Sequence, residues 1–481
     1  MVMKKTDLGL FPIDWSVSDW SSVLDGFTSG ATPSRAIKDY FKGNIRWITS
    51  GELNYNIIID TIEHISKDAV KQTNLTVHPA GTFLMAITGL EAEGTRGSCG
   101  IIGKESTTNQ SCLAIYGTSR LMIPYLFYFY VKYGDWLAKH YCQGTKQQSY
   151  TASLVKQLPI IYPPSIEEQR CITEVLSDVD NLISSLQKLI EKKKAIKQGA
   201  MQELLTGKKR LPEFSGEWNQ FRLGEMTEIY SGGTPSTTIS EYWGGSIPWM
   251  SSGELNNKKI YDVEGRITQK GMQNSSAHLI PKYCVLIGLA GQGKTRGTAA
   301  YNYISLCTNQ SIAAIYPNDK KFDSRFLYYI IDSMYESLRE LSSGDGGRGG
   351  LTKGLISNLE IYMPEVPEQQ AVAQVLSDMD SEIEQLEKKL AKYQQIKQGM
   401  MQELLTGRIR LVDADGKEQP KTQVLQEKQA QPAHNQHFDD AVMIAGIVNA
   451  FYSEKYPLGR KKVQKLLYLV PVSYTHLMRI S

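Results

Sequence analysis

The sequence predicts a mixed α/β (α+β) protein with two similar domains, one ahead of each of two long helices. Three observations carry this. A 40-residue segment occurs twice, short motifs recur between its copies, and the intervening blocks mix β-like runs with Gly/Ser/Thr loops. Glu168–Gly207 reads EQRCITEVLSDVDNLISSLQKLIEKKKAIKQGAMQELLTG, and Glu368–Gly407 reads EQQAVAQVLSDMDSEIEQLEKKLAKYQQIKQGMMQELLTG, 200 positions on without a gap. A chain that carries one unit twice presents one surface twice, which suits a two-fold partner.

The duplication reaches into the blocks. TSGATPSR (28–35) precedes WITSGELN (47–54), and YSGGTPST (230–237) precedes WMSSGELN (249–256), at an offset of 202. The offset returns to 200 at Thr95-Arg96-Gly97 against Thr295-Arg296-Gly297, and holds through Thr108-Asn109-Gln110-Ser111 against Thr308-Asn309-Gln310-Ser311. A surface loop absorbs the difference. Aromatic and branched runs at 82–88 and 283–289 read as strands, and 124–139 and 324–341 read as helices.

The repeated segments have the clearest periodicity. Ile172, Val175, Val179, Leu182, Leu186, Leu189, Lys193, Ile196 and Ala200 alternate steps of three and four, an a/d seam with one polar interruption. Val372, Val375, Met379, Ile383, Leu386, Leu390, Tyr393, Ile396 and Met400 repeat it. Pro163-Pro164 and Pro364/Pro367 mark the starts, and Gly207 and Gly407 stand where C-terminal caps belong. About 40 residues at 1.5 Å each predict helices of roughly 60 Å. Two such stripes pair most simply with each other, as an antiparallel coiled coil with a pseudo-two-fold axis. The alternative is that each packs on its own domain.

The expected organisation is a first domain over 1–160, a spacer helix over 161–210, a second domain over 211–362 and a second spacer helix over 363–410. A polar linker (411–437) and a helical extension cut short (438–481) follow. No apolar run reaches the roughly 18 residues of a membrane span, and the N-terminus lacks a signal-peptide core, so a cytoplasmic protein is expected. Six scattered cysteines without C-x-x-C predict reduced thiols, not a disulfide framework or zinc site. With a net charge of +3, any nucleic-acid contact must come from local patches.

Gly288–Thr295 satisfies the P-loop pattern G-x-x-x-x-G-K-[ST]. A P-loop needs a helix directly afterwards, whereas RGTAAYNYISL reads as loop and strand. Gly94 replaces Lys294 in the first half, so the recurring element is T-R-G. Arg96 and Arg296 on those turns suit phosphate or guanine contact, or are plain surface arginines. The polar loops 144–151 and 344–353 differ between halves, as recognition loops would. Lys146, Gln147, Gln148, Arg348 and Lys353 are their candidate DNA-contacting side chains. Glu52 and Glu254 suit a cytosine amino group or a structural role. Trp47 and Trp249 read as core. His434-x-x-His437 lies in the linker, and no metal-ligand or nuclease signature is present, so the chain reads as non-catalytic.

Two variable domains and two long helices with E-E-Q-R/E-Q-Q near the start and M-Q-E-L-L-T-G near the end resemble the specificity subunit of type I restriction-modification systems. S-G-x-T-P, T-N-Q-S and P-P-x-x-E-E-Q resemble that family too, over roughly 12–411. The resemblance implies two target-recognition domains that read a split site in double-stranded DNA. It implies helices paired through Val175, Val179, Leu182, Leu186, Leu189, Val375, Met379, Leu386, Leu390 and Ile396, which dock two methyltransferase subunits. Two restriction/translocase subunits would complete the complex. The chain itself would bind no cofactor; S-adenosylmethionine, ATP and Mg would belong to those partners. A P-loop nucleotide-binding protein and a coiled-coil scaffold without DNA contact are the competing readings.

Overall fold

The computed structural model describes residues 2–91, 96–142, 148–291, 293–341 and 350–412. The expected linker and extension therefore lie almost entirely outside the described residues. The chain divides into two compact units, one of Met1–Ser185 with the chain from Leu390 onward, the other of Leu186–Lys389. The division cuts both long helices, so each unit holds one domain and half of each helix.

The first unit's main sheet has five strands in the order Asp25–Ser29, Cys112–Tyr116, Phe83–Ala86, Cys99–Ile102, Asn56–Ile58. Neighbours run antiparallel except at the edge, where Asn56–Ile58 is parallel to Cys99–Ile102. The second unit repeats this order with Ile229–Ser231, Ile312–Ile315, Val285–Gly288, Ala299–Asn302 and Lys259–Ile260. Registers match as well: Leu84 faces Gly100 and Ala114, and Leu286 faces Ala300 and Ala314. The two central strands are buried along their whole length, which explains unbroken apolar runs instead of alternation.

Each unit adds a three-stranded sheet with a parallel and an antiparallel neighbour, centred on Ile45–Ile48 and on Trp243–Met250. Each domain closes by pairing its entry strand with the strand before a long helix: Ser16–Asp19 with Pro159–Tyr162, and Asn219–Arg222 with Glu360–Met363. The sequence-predicted helices appear as Ile123–Tyr141 and as a pair, Ser324–Ser333 and Tyr335–Leu341. Met334 separates that pair, its N–H shared between the Ile330 and Ile331 carbonyls, a 3₁₀-type tightening of the turn.

The long helices run Ile166–Leu204 and Val366–Leu404, 39 residues each. Gly207 (φ +70°) and Gly407 (φ +65°) close them in the left-handed conformation that favours glycine. In the second unit the helix halves are joined by Lys193–Glu382 (2.6 Å), Lys194–Glu387 (2.7 Å) and Lys197–Asp380 (2.5 Å). Lys193 opposite Glu382 and Lys197 opposite Asp380 set the two chains antiparallel. In the first unit the counterpart of the last pair, Lys397–Asp180, spans 2.6 Å. Each aspartate also accepts from a tyrosine of its own domain, Tyr128 to Asp180 and Tyr329 to Asp380, both at 2.8 Å.

The buried stripe drifts from the predicted seam. Val175, Val179 and Leu186 are buried, but Leu182 and Leu189 are half-buried and Ile190 is buried instead. Ile196, expected on the seam, is 48% exposed, while its neighbour Lys197 turns to Asp380. A straight α-helix rotates about 20° per heptad away from a 3.5-residue repeat, so three heptads swing a seam position outward. In the second helix Val375, Met379, Leu386 and Leu390 are half-buried, while Ile383, Tyr393 and Ile396 are buried.

The helix ends are latched crosswise. Arg210, just beyond the first helix, donates from Nε and Nη2 to Glu368 at the start of the second, at 2.5 and 2.6 Å. Arg410, beyond the second helix, holds Glu168 at the start of the first from Nε and Nη2, and bonds Asp14 at 3.0 Å. Glu168 is 1% exposed and Glu368 3%. Burial pushes the Glu168 carboxyl upward, against the opposing effect of Arg410. Beside each glutamate a buried glutamine locks helix to domain. Gln169 accepts from Met122 N–H and donates to the Arg120 and Pro163 carbonyls, and Gln369 accepts from Asp323 N–H and donates to the Pro364 carbonyl.

Removing one partner of a buried ion pair strands a charge, at a cost of about 3–5 kcal/mol. Arg210→Ala and Arg410→Ala each leave a buried carboxylate, Glu368 or Glu168, without its partner, and each is expected to lower stability in chemical unfolding of the full chain, by a smaller amount because the arginines are themselves partly exposed. Lys193→Ala, on an exposed pair, should change it by less than about 1 kcal/mol. The double change Arg210→Leu with Glu368→Leu should recover most of the loss; a double variant as unstable as Arg210→Ala would contradict a desolvated latch.

Candidate nucleic-acid interface

The recurring motifs turn out to build the domains. The carboxylate of Glu52 accepts from Thr49 N–H (2.8 Å), Thr49 Oγ1 (2.9 Å) and Ile62 N–H (2.9 Å). Glu254 does the same with Ser251 N–H (2.8 Å), Ser251 Oγ (3.1 Å) and Glu264 N–H (3.0 Å). Both oxygens of each are engaged in a capping box and a loop tie, so their place is structural.

Trp47 and Trp249 donate from Nε1 to the Ala31 and Gly233 carbonyls, at 3.0 and 2.9 Å, which pins the S-G-x-T-P turns. Thr234 Oγ1 in that turn donates to Gln310 Oε1 (2.6 Å), and Thr32 to Gln110 likewise. The glycines of the turns are forced. A Cβ on Gly30 would lie 1.7 Å from the Thr108 carbonyl oxygen, and one on Gly232 2.0 Å from that of Thr308. S-G-x-T-P and T-N-Q-S are thus two sides of one contact.

Arg96-Gly97 and Thr295-Arg296-Gly297 lead into the fourth strand of each main sheet. Gly97 (φ +79°) and Gly297 (φ +82°) are left-handed. The reading of Arg96 as an exposed arginine does not hold. Its side chain is 15% exposed, with Nε on Asp135 (3.0 Å) and Nη1 turned to the Glu91 carbonyl (3.3 Å). Arg296 is half-buried, and its carbonyl and that of Gly293 lie 3.4 and 2.8 Å from Arg339 Nη1.

Among the described residues the P-loop pattern lacks the helix that a phosphate cradle needs directly after it. Gly288 ends one strand, and the chain returns in the antiparallel strand Ala299–Asn302 with no helix between them among the described residues. Nearby, the Lys294 carbonyl accepts from Thr298 Oγ1 at 2.6 Å.

The fold brings the candidate loops together at this hairpin end. In the first domain Leu90 N–H donates to the Gln148 carbonyl (3.2 Å) and Gln148 N–H to Glu91 Oε2 (3.3 Å), beside Arg96. In the second domain Leu351 N–H donates to the Leu289 carbonyl (2.9 Å), which sets Lys353 two residues from the Gly288–Thr298 turn. Lys353 is exposed, at the start of a short helix capped by Thr352. Lys146, Gln147 and Arg348 lie outside the described residues. The first domain sets Gln148, its Oε1 buried, beside Arg96, and the second sets the exposed Lys353, a group suited to phosphates, near its own hairpin.

No cluster of His, Cys, Asp and Glu among the described residues could hold a metal ion. All six thiols are unbridged, and burial pushes Cys284 up to about 12 and Cys307 to about 11, away from thiolate chemistry. No helix among the described residues is long and apolar enough to cross a membrane. Sequence reading missed the tyrosine–aspartate contacts and the Arg–Glu latches. Their signal was present, since Asp180, Glu168 and Arg210 all recur 200 positions later.

The family described as the type I restriction modification DNA specificity domain matches residues 12–198 and again 215–398. The putative type I restriction enzyme MjaX specificity subunit of Methanocaldococcus jannaschii is 25% identical over 437 residues, 85% of this chain and 96% of that protein. The EcoR124I/EcoR124II specificity subunit of Escherichia coli is 24% identical over 272 residues, 55% of this chain and 64% of that protein. The S subunit structure from M. genitalium superposes with a TM-score of 0.58 at 16% identity, covering 84% of this chain and 99% of that one, a likeness of fold. With both halves matched and the same domain built twice, the chain belongs to the type I restriction-modification DNA specificity family, as a specificity subunit.

Proposed function

We propose that this chain supplies the address of a type I restriction-modification complex and none of its chemistry. Each domain reads one half of a split target in double-stranded DNA, and the paired helices set the spacing between halves. Two methyltransferase subunits dock on the helices, and two restriction/translocase subunits join them in the cytoplasm. S-adenosylmethionine, ATP and Mg are bound by those partners.

One observation carries the reading: the same domain topology occurs twice, with the recurring glutamate, tryptophan and glutamine side chains spent on internal bonds. What differs between copies is the loop set at the hairpin end, where Gln148 stands in one domain and Lys353 in the other. Recurrence suits an identical partner met twice, and divergence suits two unlike half-sites.

Two experiments test it. Exchanging residues 1–155 for the block of another family member should change one half of the methylated motif, read by methylome sequencing of the host; a change in both halves would refute modular readout. Inserting residues within 170–200 should lengthen the spacer while both half-sites stay as they were, and an unchanged spacer would remove the ruler role.

A further inference from the structure

In each domain the same two helix positions brace the turn before the fourth strand, with donor and acceptor roles reversed. In the first domain they are Asp135 and Lys139, four residues apart on Ile123–Tyr141. Lys139 Nζ lies 2.6 Å from Asp135 Oδ2, and Arg96 Nε donates to Asp135 Oδ1 at 3.0 Å. Lys139 and Arg96 hold the Asp135 carboxyl below the usual carboxylate range, so this helix offers an acceptor. The positions 200 residues on are Tyr335 and Arg339 of Tyr335–Leu341, and that helix offers donors. Arg339 Nη1 donates to the Gly293 carbonyl (2.8 Å) and to Tyr335 Oη (3.2 Å), and Tyr335 Oη donates to the Lys294 carbonyl (3.2 Å). Arg-Gly stands in both turns, yet Arg96 meets its helix through the guanidinium. Arg296 meets its own through the carbonyl, 3.4 Å from Arg339 Nη1.

Both joints are close. A Cβ on Gly134 would lie 2.7 Å from Gly97 Cα, and one on Gly297 3.3 Å from the Tyr335 carbonyl oxygen. At such spacing a change in the helix is passed to the backbone of the turn. Each joint also leads to a group that suits DNA. Arg96 Nη1 donates to the Leu90 and Glu91 carbonyls, at 3.4 and 3.3 Å. Leu90 N–H in turn donates to the Gln148 carbonyl, and Gln148 N–H to Glu91 Oε2. Asp135 therefore reaches Gln148 through Arg96 and residues 90–91. In the second domain the Lys294 carbonyl takes a second bond, from Thr298 Oγ1 at 2.6 Å, while Lys294 itself is exposed. Two bonds on that carbonyl fix the backbone from which a phosphate-seeking side chain projects.

We propose that Asp135 with Lys139, and Tyr335 with Arg339, are positioning residues for target specificity, the first pair holding Gln148 and the second Lys294 in the attitude that reads DNA. This rests on the duplex-reading role proposed above and assigns part of it to helix residues behind the loops. A half-site preference then changes with a helix substitution as well as with a loop exchange.

The experiment uses the full-length chain co-expressed with the methyltransferase subunit. Methylome sequencing of the host gives the wild-type motif, titration gives affinity for duplexes with single-base changes in either half, and thermal unfolding reports on the fold. Asp135→Ala and Arg339→Ala should each lower discrimination about 10-fold at one half, the size of one lost base preference, and at different halves. The opposite half should be read as in wild type. Asp135→Glu and Arg339→Lys, which return an acceptor and a donor, should recover most of the discrimination. Wild-type discrimination in both alanine variants overturns the positioning role and leaves duplex reading intact. An equal loss at both halves, or a loss that follows a lower unfolding temperature and is not recovered by Asp135→Glu or Arg339→Lys, marks a role in folding alone and overturns it too. A wild-type complex with no preference among the duplexes overturns the reading of DNA, and the positioning role with it.

Discussion

The buried Arg–Glu latches are the constraint on which the rest depends. Glu168 and Glu368 begin the helices, and the arginines that neutralise them, Arg410 and Arg210, follow the end of the opposite helix. A carboxylate at 1% or 3% exposure is unfavourable alone, so neither helix start is stable without the other helix's end. Glu168 and Arg410 are separated by 242 residues of sequence, and Glu368 and Arg210 by 158. Each unit must therefore gather distant segments before its costliest groups are satisfied. The first unit cannot be completed until residue 410 has been made, which predicts slow, late closure.

The latches also explain how the chain divides its work. Glutamine locks at 169 and 369 join each helix to its domain, and aspartates at 180 and 380 take one tyrosine from the domain and one lysine from the other helix. Inside the domains, the capping boxes, the pinned turns and the threonine–glutamine contacts engage Glu52 and Glu254, Trp47 and Trp249, and Gln110 and Gln310. A framework held by its repeated glutamates, tryptophans and glutamines leaves its loops free to differ. Specificity can then change without disturbing assembly.

The units are nonetheless unequal. Lys259, on the edge strand of the second main sheet, bonds Glu384 at 2.6 Å and lies 3.7 Å from Asp380. The matching edge of the first unit carries Ile57, 63% exposed. Likewise Ile196 is 48% exposed, while Ile396, its repeat partner, is 6% exposed. Identical residues at matched positions need not share an environment, because burial depends on what each domain sets beside the helix.

The sequence by itself determined the two-fold plan, the helix ends at Gly207 and Gly407, and the strand character of 83–86 and 285–288. These are local properties: periodicity, turn chemistry and composition act over a few residues. Tertiary structure alone decided the partners. It turned Arg96 inward to Asp135, folded the P-loop pattern into a hairpin turn, spent Glu52 and Glu254 on backbone N–H groups, and rotated Ile196 out of the seam. Each outcome depends on groups brought close by topology or on helical drift accumulated over many turns, and no window of sequence contains either. The repeat announced which residues mattered; only the fold showed that most of them hold the protein together.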